Sequence, residues 1–243
     1  MPTSRYERAA RSAGYRIIAG LDEAGRGALF GPVFAAAVVL DPARPIRGLD
    51  DSKQLDAERR GTLAARIRER AMGWALGAAD AFEIDRINIL EASRLSMRRA
   101  VARLNQRLSI PCDYLLTDAI RVDVNVPQNP IIHGDSLCFS IAAASILAKV
   151  ARDEAMQRWD AVFPEYGFAR NRGYGTPDHL AALERLGPSS LHRFSFAPVR
   201  NTSRHAVWSG YPAPAAKFPQ GQLTLDSTYI VESPVESEMQ ECL

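Results

Sequence analysis

Two apolar runs in this chain end in acid. Ile17–Leu21 runs into Asp22 and Glu23, and Tyr114–Thr117 runs into Asp118. A third short run, Ile131–Ile132, leads through His133 and Gly134 to Asp135. A carboxylate at the end of a buried strand is costly unless a positive charge offsets it. Hard divalent cations, which take oxygen ligands, are suited to that task. Such carboxylates, in a chain with no serine, cysteine or histidine nucleophile motif, favour metal-assisted phosphoryl chemistry. Each acid also has a plainer reading. Asp22-Glu23 fits a solvated hairpin tip, Asp118 a turn and Asp135 a helix N-cap. Asp153 competes with Asp135, because it lies five helical turns further along the same segment. At helical rise the two would stand roughly 27 Å apart, so one compact site cannot use both. Geometry does not choose between them.

The surrounding residues suggest how these acids are carried. Gly25-Arg26-Gly27 makes a tight turn just after Glu23 and Ala24, and glycines there let a backbone or ligand approach closely. The runs Ile17–Leu21 and Val33–Leu40 are short, apolar and bounded by turn residues, as buried strands are. Asp56 to Met72 reads as a helix with Asp56 as its N-cap. Gly73 to Ala81 reads as a strand, Phe82 to Leu108 as one long helical region, and Ile131 to Asp135 as a short strand. Leu137 to Met156 is apolar almost all round through Lys149, the pattern of a helix buried against a sheet. Pro177 to Leu186 is a further helix with proline in its first turn.

Composition bounds the function. The chain has 243 residues, 47% hydrophobic and 24% charged, and a net charge of +2. That charge is uneven. Residues 201–243 carry a net of −3, which leaves residues 1–200 at +5, a mildly basic body suited to a polyanion. Residues 1–15 read as a flexible extension, 16–200 as one catalytic domain, and 201–243 as a flexible acidic tail. The odd, scattered cysteines Cys112, Cys138 and Cys242 form no metal motif or disulfide framework. They suit a reducing cytoplasm. No signal-peptide core or membrane-length run is present. There is no H-E-x-x-H and no G-x-x-x-x-G-K-[ST], so zinc proteases and P-loop kinases have no support.

Seven stretches together resemble bacterial ribonuclease HII, a type 2 ribonuclease H. They are G-L-D-E-A-G-R-G (Gly20–Gly27), G-P-V-F-A-A-A-V-V-L (Gly31–Leu40), D-D-S-K-Q-L (Asp50–Leu55), L-L-T-D (Leu115–Asp118), S-I-A-A-A-S-I-L-A-K-V-A-R-D (Ser140–Asp153), G-Y-G-T (Gly173–Thr176) and H-R-F-S-F (His192–Phe196). The resemblance implies an α/β, ribonuclease H-like fold: a central mixed β-sheet flanked by helices. It implies cleavage of the RNA strand of RNA–DNA hybrids, and incision 5′ of ribonucleotides embedded in duplex DNA, with two Mg²⁺ or Mn²⁺ ions. It places the metal ligands on Asp22, Glu23, Asp118 and Asp135, so it selects Asp135 over Asp153. It assigns 2′-hydroxyl reading to Gly25, Arg26 and Gly27, sugar packing to Tyr174, and phosphate contact to Ser52 and Lys53. A monomer is expected, and a sliding-clamp partner is not readable from the sequence. The alternatives are a sister nuclease, such as a resolvase or ribonuclease HIII, and a nucleic-acid-binding module without catalysis.

Overall fold

The computed structural model describes residues 2–203, so the tail expected at 201–243 lies outside the described residues from residue 204 onward. Five strands form one sheet in the order β3-β2-β1-β4-β5. They are β1 (Ile18–Ala24), β2 (Val33–Val39), β3 (Gly73–Ala79), β4 (Tyr114–Asp118) and β5 (Gln128–Ile131). The first three pair antiparallel, whereas β1–β4 and β4–β5 are parallel. The mixed α/β architecture expected from the sequence is therefore present.

Alternation along the strands sends residues to opposite faces. Ala35, Ala37 and Leu21 pack under α3 (Ala81–Arg107) with Met97, Val101 and Leu104. On the other face, Ala36 and Val38 pack with Leu63 and Ile67 of α2 (Ala57–Arg70) and with Ile146 and Leu147 of α5 (Phe139–Val162). The helix read as buried all round is α5, and it crosses β1 very closely. A Cβ on Gly20 would lie 2.1 Å from the backbone carbon of Ser140. Asp56 does cap α2, accepting the Arg59 N–H at 2.8 Å.

Three local expectations are corrected. The region Phe82–Leu108 is broken at Asn88, whose φ of 68° is left-handed. Its Oδ1 accepts the Leu90 and Glu91 N–H groups and so starts a second helical segment. The short strand expected over Ile131–Asp135 ends at Ile131, and Gly134–Leu137 form the single-turn helix α4. At the far end, α8 (Ala197–Ser203) carries the fold across the boundary expected at Arg200, with Val199 fully buried.

The N-terminal extension is also ordered. Residues Arg5–Ser12 form α1, and one of them, Glu7, serves the start of α5. Cys138, at the N-cap of α5, makes no side-chain capping bond. Glu7 supplies the acceptor from 133 residues away: its Oε1 takes the Ser140 N–H at 2.8 Å and the Cys138 S–H at 3.2 Å. A carboxylate at a helix N-terminus also meets the positive end of the helix dipole. Burial and the neighbouring Glu7 charge push the Cys138 thiol up to about 12, so it remains a protonated donor. Thr3 brackets the same corner by accepting the Phe139 N–H and donating to the Leu137 carbonyl. Glu7→Ala would leave the Ser140 N–H without its acceptor and should cost about 1–3 kcal/mol in urea unfolding. A loss below about 0.5 kcal/mol, the range of an ordinary surface change, would refute this capping role.

Candidate active site

The carboxylates meet at the ends of β1 and β4. Leu21 pairs with Thr117 in parallel register, so Asp22 and Asp118 are the next residues along adjacent strands. β5 then returns through α4, which brings Asp135 to the same place. One oxygen from each of Asp22, Asp118 and Asp135 lies within 4.8 Å of the others. Asp153 is absent from this group and pairs instead with Lys149 at 2.6 Å. Glu23 follows Asp22 directly but is not one of these three. It pairs with Arg26 at 3.3 Å, and its buried Oε2 has no hydrogen-bond partner.

Burial raises the Asp22 carboxyl well above its ordinary range, and the charges of Glu23 and Asp118 push it further. Burial, against the pull of Arg26 and with the push of Asp118, raises Glu23 to about 7. Asp118 is also raised by burial and by Asp135, although its Oδ1 accepts the Gly134 N–H at 2.8 Å. Mutually repelling buried carboxylates with an orphaned oxygen beside them form an all-oxygen donor set. That set fits a divalent cation.

Ser52 and Lys53, expected together at a phosphate, take different positions. Ser52 is buried, and its hydroxyl bonds Ser145 of α5 at 2.8 Å. Ser145 in turn stands near the Asp22 carboxyl and favours its charged form. The Ser52 hydroxyl therefore faces inward, toward the helix beside Asp22. Lys53 is exposed, with Nζ 3.2 Å from Asp135 Oδ2. Burial works to lower its pKa, but Asp135, Asp51 and Asp22 raise it on balance.

Gly25 opens the turn with φ +96°, and a Cβ there would lie 2.0 Å from Arg152 Nε. Both facts require glycine. A Cβ on Gly27 would meet open space, so that position is accessible rather than packed. Tyr174 stands beside the turn through an antiparallel bridge to Ala28. The Arg152 guanidinium lies 4.9 Å from the centre of its ring. Gly25–Gly27 and Tyr174, more than 140 residues apart in sequence, thus form one surface next to the carboxylates.

A sequence profile described as Ribonuclease HII matches residues 19–199. The chain belongs to the ribonuclease HII family. It is 60% identical over 198 residues to ribonuclease HII of Solibacter usitatus (strain Ellin6076), covering 82% of this chain and 85% of that protein. Among solved structures, ribonuclease H2 from Pyrococcus horikoshii OT3 aligns with TM-score 0.65 at 23% identity, over 78% of this chain and 98% of that one. Bst ribonuclease HIII in complex with Mn²⁺ aligns with TM-score 0.67 at 21% identity, over 82% and 72%. At those identities the two structures bear on fold alone, and they share the α/β fold found here. Family membership makes this chain a nuclease, a hydrolase of phosphodiesters.

Several supporting residues of the site are not apparent in the sequence. Ser145 and Arg152 sit on the apolar helix α5. Arg152 is fully buried there, and one charged residue on the buried face of a helix is a usable signal. His179, His192 and Arg193 are also fully buried, but no periodicity distinguishes them from exposed loop residues. Among the described residues no helix is long and apolar enough to cross a membrane.

Proposed function

We propose that this chain cleaves the RNA strand of RNA–DNA hybrids and incises duplex DNA on the 5′ side of an embedded ribonucleotide. The observation that carries this reading is the adjacency of the Asp22–Asp118–Asp135 cluster to the Gly25–Gly27 turn and Tyr174. Asp22, Asp118 and Asp135, with Glu23 beside them, would hold two divalent cations, Mg²⁺ or Mn²⁺. When bound, such ions supply a nucleophilic water and neutralise charge on the leaving oxygen. The products would be a 3′-hydroxyl and a 5′-phosphate. The rest of the reaction belongs to the protein. Ser145 and the Gly134 N–H orient Asp22 and Asp118, while Lys53 offers a charge to the phosphate that approaches Asp135.

RNA is told from DNA by the 2′-hydroxyl, and an open backbone at Gly25–Gly27 can approach it without a Cβ in the way. Tyr174 would pack on the deoxyribose that follows, so the junction itself is what fits. We further propose that the enzyme works as a monomer in the cytoplasm.

The direct test is metal-dependent cleavage of a DNA duplex carrying one ribonucleotide, with the cut mapped to single-nucleotide resolution. Cleavage elsewhere, or none while uniform hybrids are cut, would overturn the junction reading. Tyr174→Ala should slow cutting of that substrate by roughly ten-fold, about 1.4 kcal/mol of transition-state stabilisation. A uniform RNA–DNA hybrid should lose less, because no deoxyribose follows its scissile site. Equal losses on both substrates, with circular dichroism unchanged, would show that Tyr174 does not read the junction.

A further inference from the structure

The stretch H-R-F-S-F has no part in the chemistry above, yet it holds the two substrate-facing elements together. Segment Ala28–Gly31 runs as the middle of three short backbone segments. On one side the Leu29 N–H donates to the Gly173 carbonyl at 2.7 Å. On the other, the Gly31 N–H donates to Leu191 and the Arg193 N–H donates to Leu29, each at 2.9 Å. Ala28 bridges Tyr174, and Phe30 bridges His192.

The side chains of His192 and Arg193 extend this arrangement in two directions. His192 Nδ1 is 2.9 Å from the Ser189 N–H, which can only donate. Nδ1 is therefore the acceptor, and in the neutral ring the proton lies on Nε2. That Nε2 is 3.1 Å from His179 Nε2, so His192 donates and His179 accepts. The proton of His179 is then on Nδ1, 2.9 Å from the Tyr174 carbonyl oxygen. Burial lowers the pKa of both rings, His192 to about 3, which keeps the neutral forms this chain of bonds requires. Arg193 turns the other way. Its Nε donates to the Gly31 carbonyl at 2.9 Å and its Nη1 to the Arg26 carbonyl at 2.8 Å.

We propose that His192 and Arg193 are positioning residues, which lock the Tyr174 backbone and the Gly25–Gly27 turn into one register and so set discrimination at the RNA–DNA junction. The proposal rests on the junction reading given above. The competing account is packing: His192 also lies against Phe30, with ring centres 5.0 Å apart. Packing predicts a loss of stability and an equal loss on every substrate. Positioning predicts a change in the ratio of kcat/KM between the single-ribonucleotide duplex and a uniform hybrid.

His192→Asn keeps an acceptor near the Ser189 N–H but cannot reach His179, whereas His192→Gln keeps a donor at the place of Nε2. We expect His192→Asn to lower the ratio about five-fold, the worth of roughly one net hydrogen bond, and His192→Gln to restore most of it. Combined with Tyr174→Ala, His192→Asn should add little further change in the ratio, as expected for residues acting through one contact. If His192→Asn does not fold, Arg193→Lys replaces it, since lysine cannot hold the two carbonyls and should lower the ratio in the same way. An unchanged ratio in the folded variant, or losses that add fully to those of Tyr174→Ala, would overturn the positioning role. If Tyr174→Ala shifts the ratio and His192→Asn does not, this inference alone fails. If Tyr174→Ala leaves the ratio unchanged, the junction reading fails and this inference fails with it.

Discussion

Asp118→Asn should lower metal-dependent cleavage by about a thousand-fold, the scale seen when a preorganised charge-stabilising group is removed from a reacting centre. Asp22→Asn and Asp135→Asn should do the same, because one oxygen of each lies within 4.8 Å of the others. Binding of the hybrid should survive in all three, since most of that affinity comes from cationic contacts to phosphates. Asp153→Asn is the control. It loses only the ion pair with Lys149, a contact of small worth, and should stay within about two-fold of the unmodified enzyme. Initial rates at saturating Mg²⁺ and hybrid affinity in chelator separate the two effects. A tenth or more of the normal turnover in Asp118→Asn would remove that residue from the site. Full loss in Asp153→Asn would show that the cluster has been drawn around the wrong helix position.

The same carboxylates should make the metal-free protein less stable as pH rises. Glu23 is raised from 4.5 to about 7, and Asp22 is raised well above its ordinary value. A group whose folded pKa exceeds its unfolded pKa holds its proton more tightly in the folded state. Its penalty is therefore absent below the unfolded value and complete above the folded one, which sets the window between about pH 4 and just above 7. The Glu23 shift alone corresponds to about 3 kcal/mol. In chelator, Asp22→Asn should consequently melt higher than the unmodified protein at pH 8. Near pH 4 the difference should close. Added Mn²⁺ should raise the melting temperature of the unmodified protein more than that of the variant. A variant that melts lower than the unmodified protein in chelator at pH 8 would mean that these charges do not repel as described.

Much of the site could be read from the sequence, and the omissions have physical causes. Strand ends are visible as apolar runs stopped by acid, so Asp22 and Asp118 were readable as candidates. That they are neighbours was not, because a parallel pairing between β1 and β4 leaves no local signal across the intervening residues. Asp135 could not be separated from Asp153 by periodicity, because an unbroken helix would place both on one face. The break at Cys138 and the return from β5 decide it. The turn around Ser52 was legible, but not its direction, since a serine facing Ser145 and one facing solvent look alike in sequence. Asn88 interrupts a periodic pattern with a backbone angle rather than with a change in residue polarity. Glu7 looked like part of a polar extension, because the helix it caps lies far along the chain.

That last distance bears on how the protein is made. Glu7 leaves the ribosome early, but its partner Ser140 follows 133 residues later. Strand β1 must likewise wait for β4 before both of its edges are paired. Loop closures of that length slow folding, and a chain emerging N-terminus first exposes such unpaired edges while it waits. The α1–α5 corner and the full Asp22–Asp118–Asp135 cluster can therefore close only after more than half of the polypeptide has been synthesised, so these carboxylates come together late in translation.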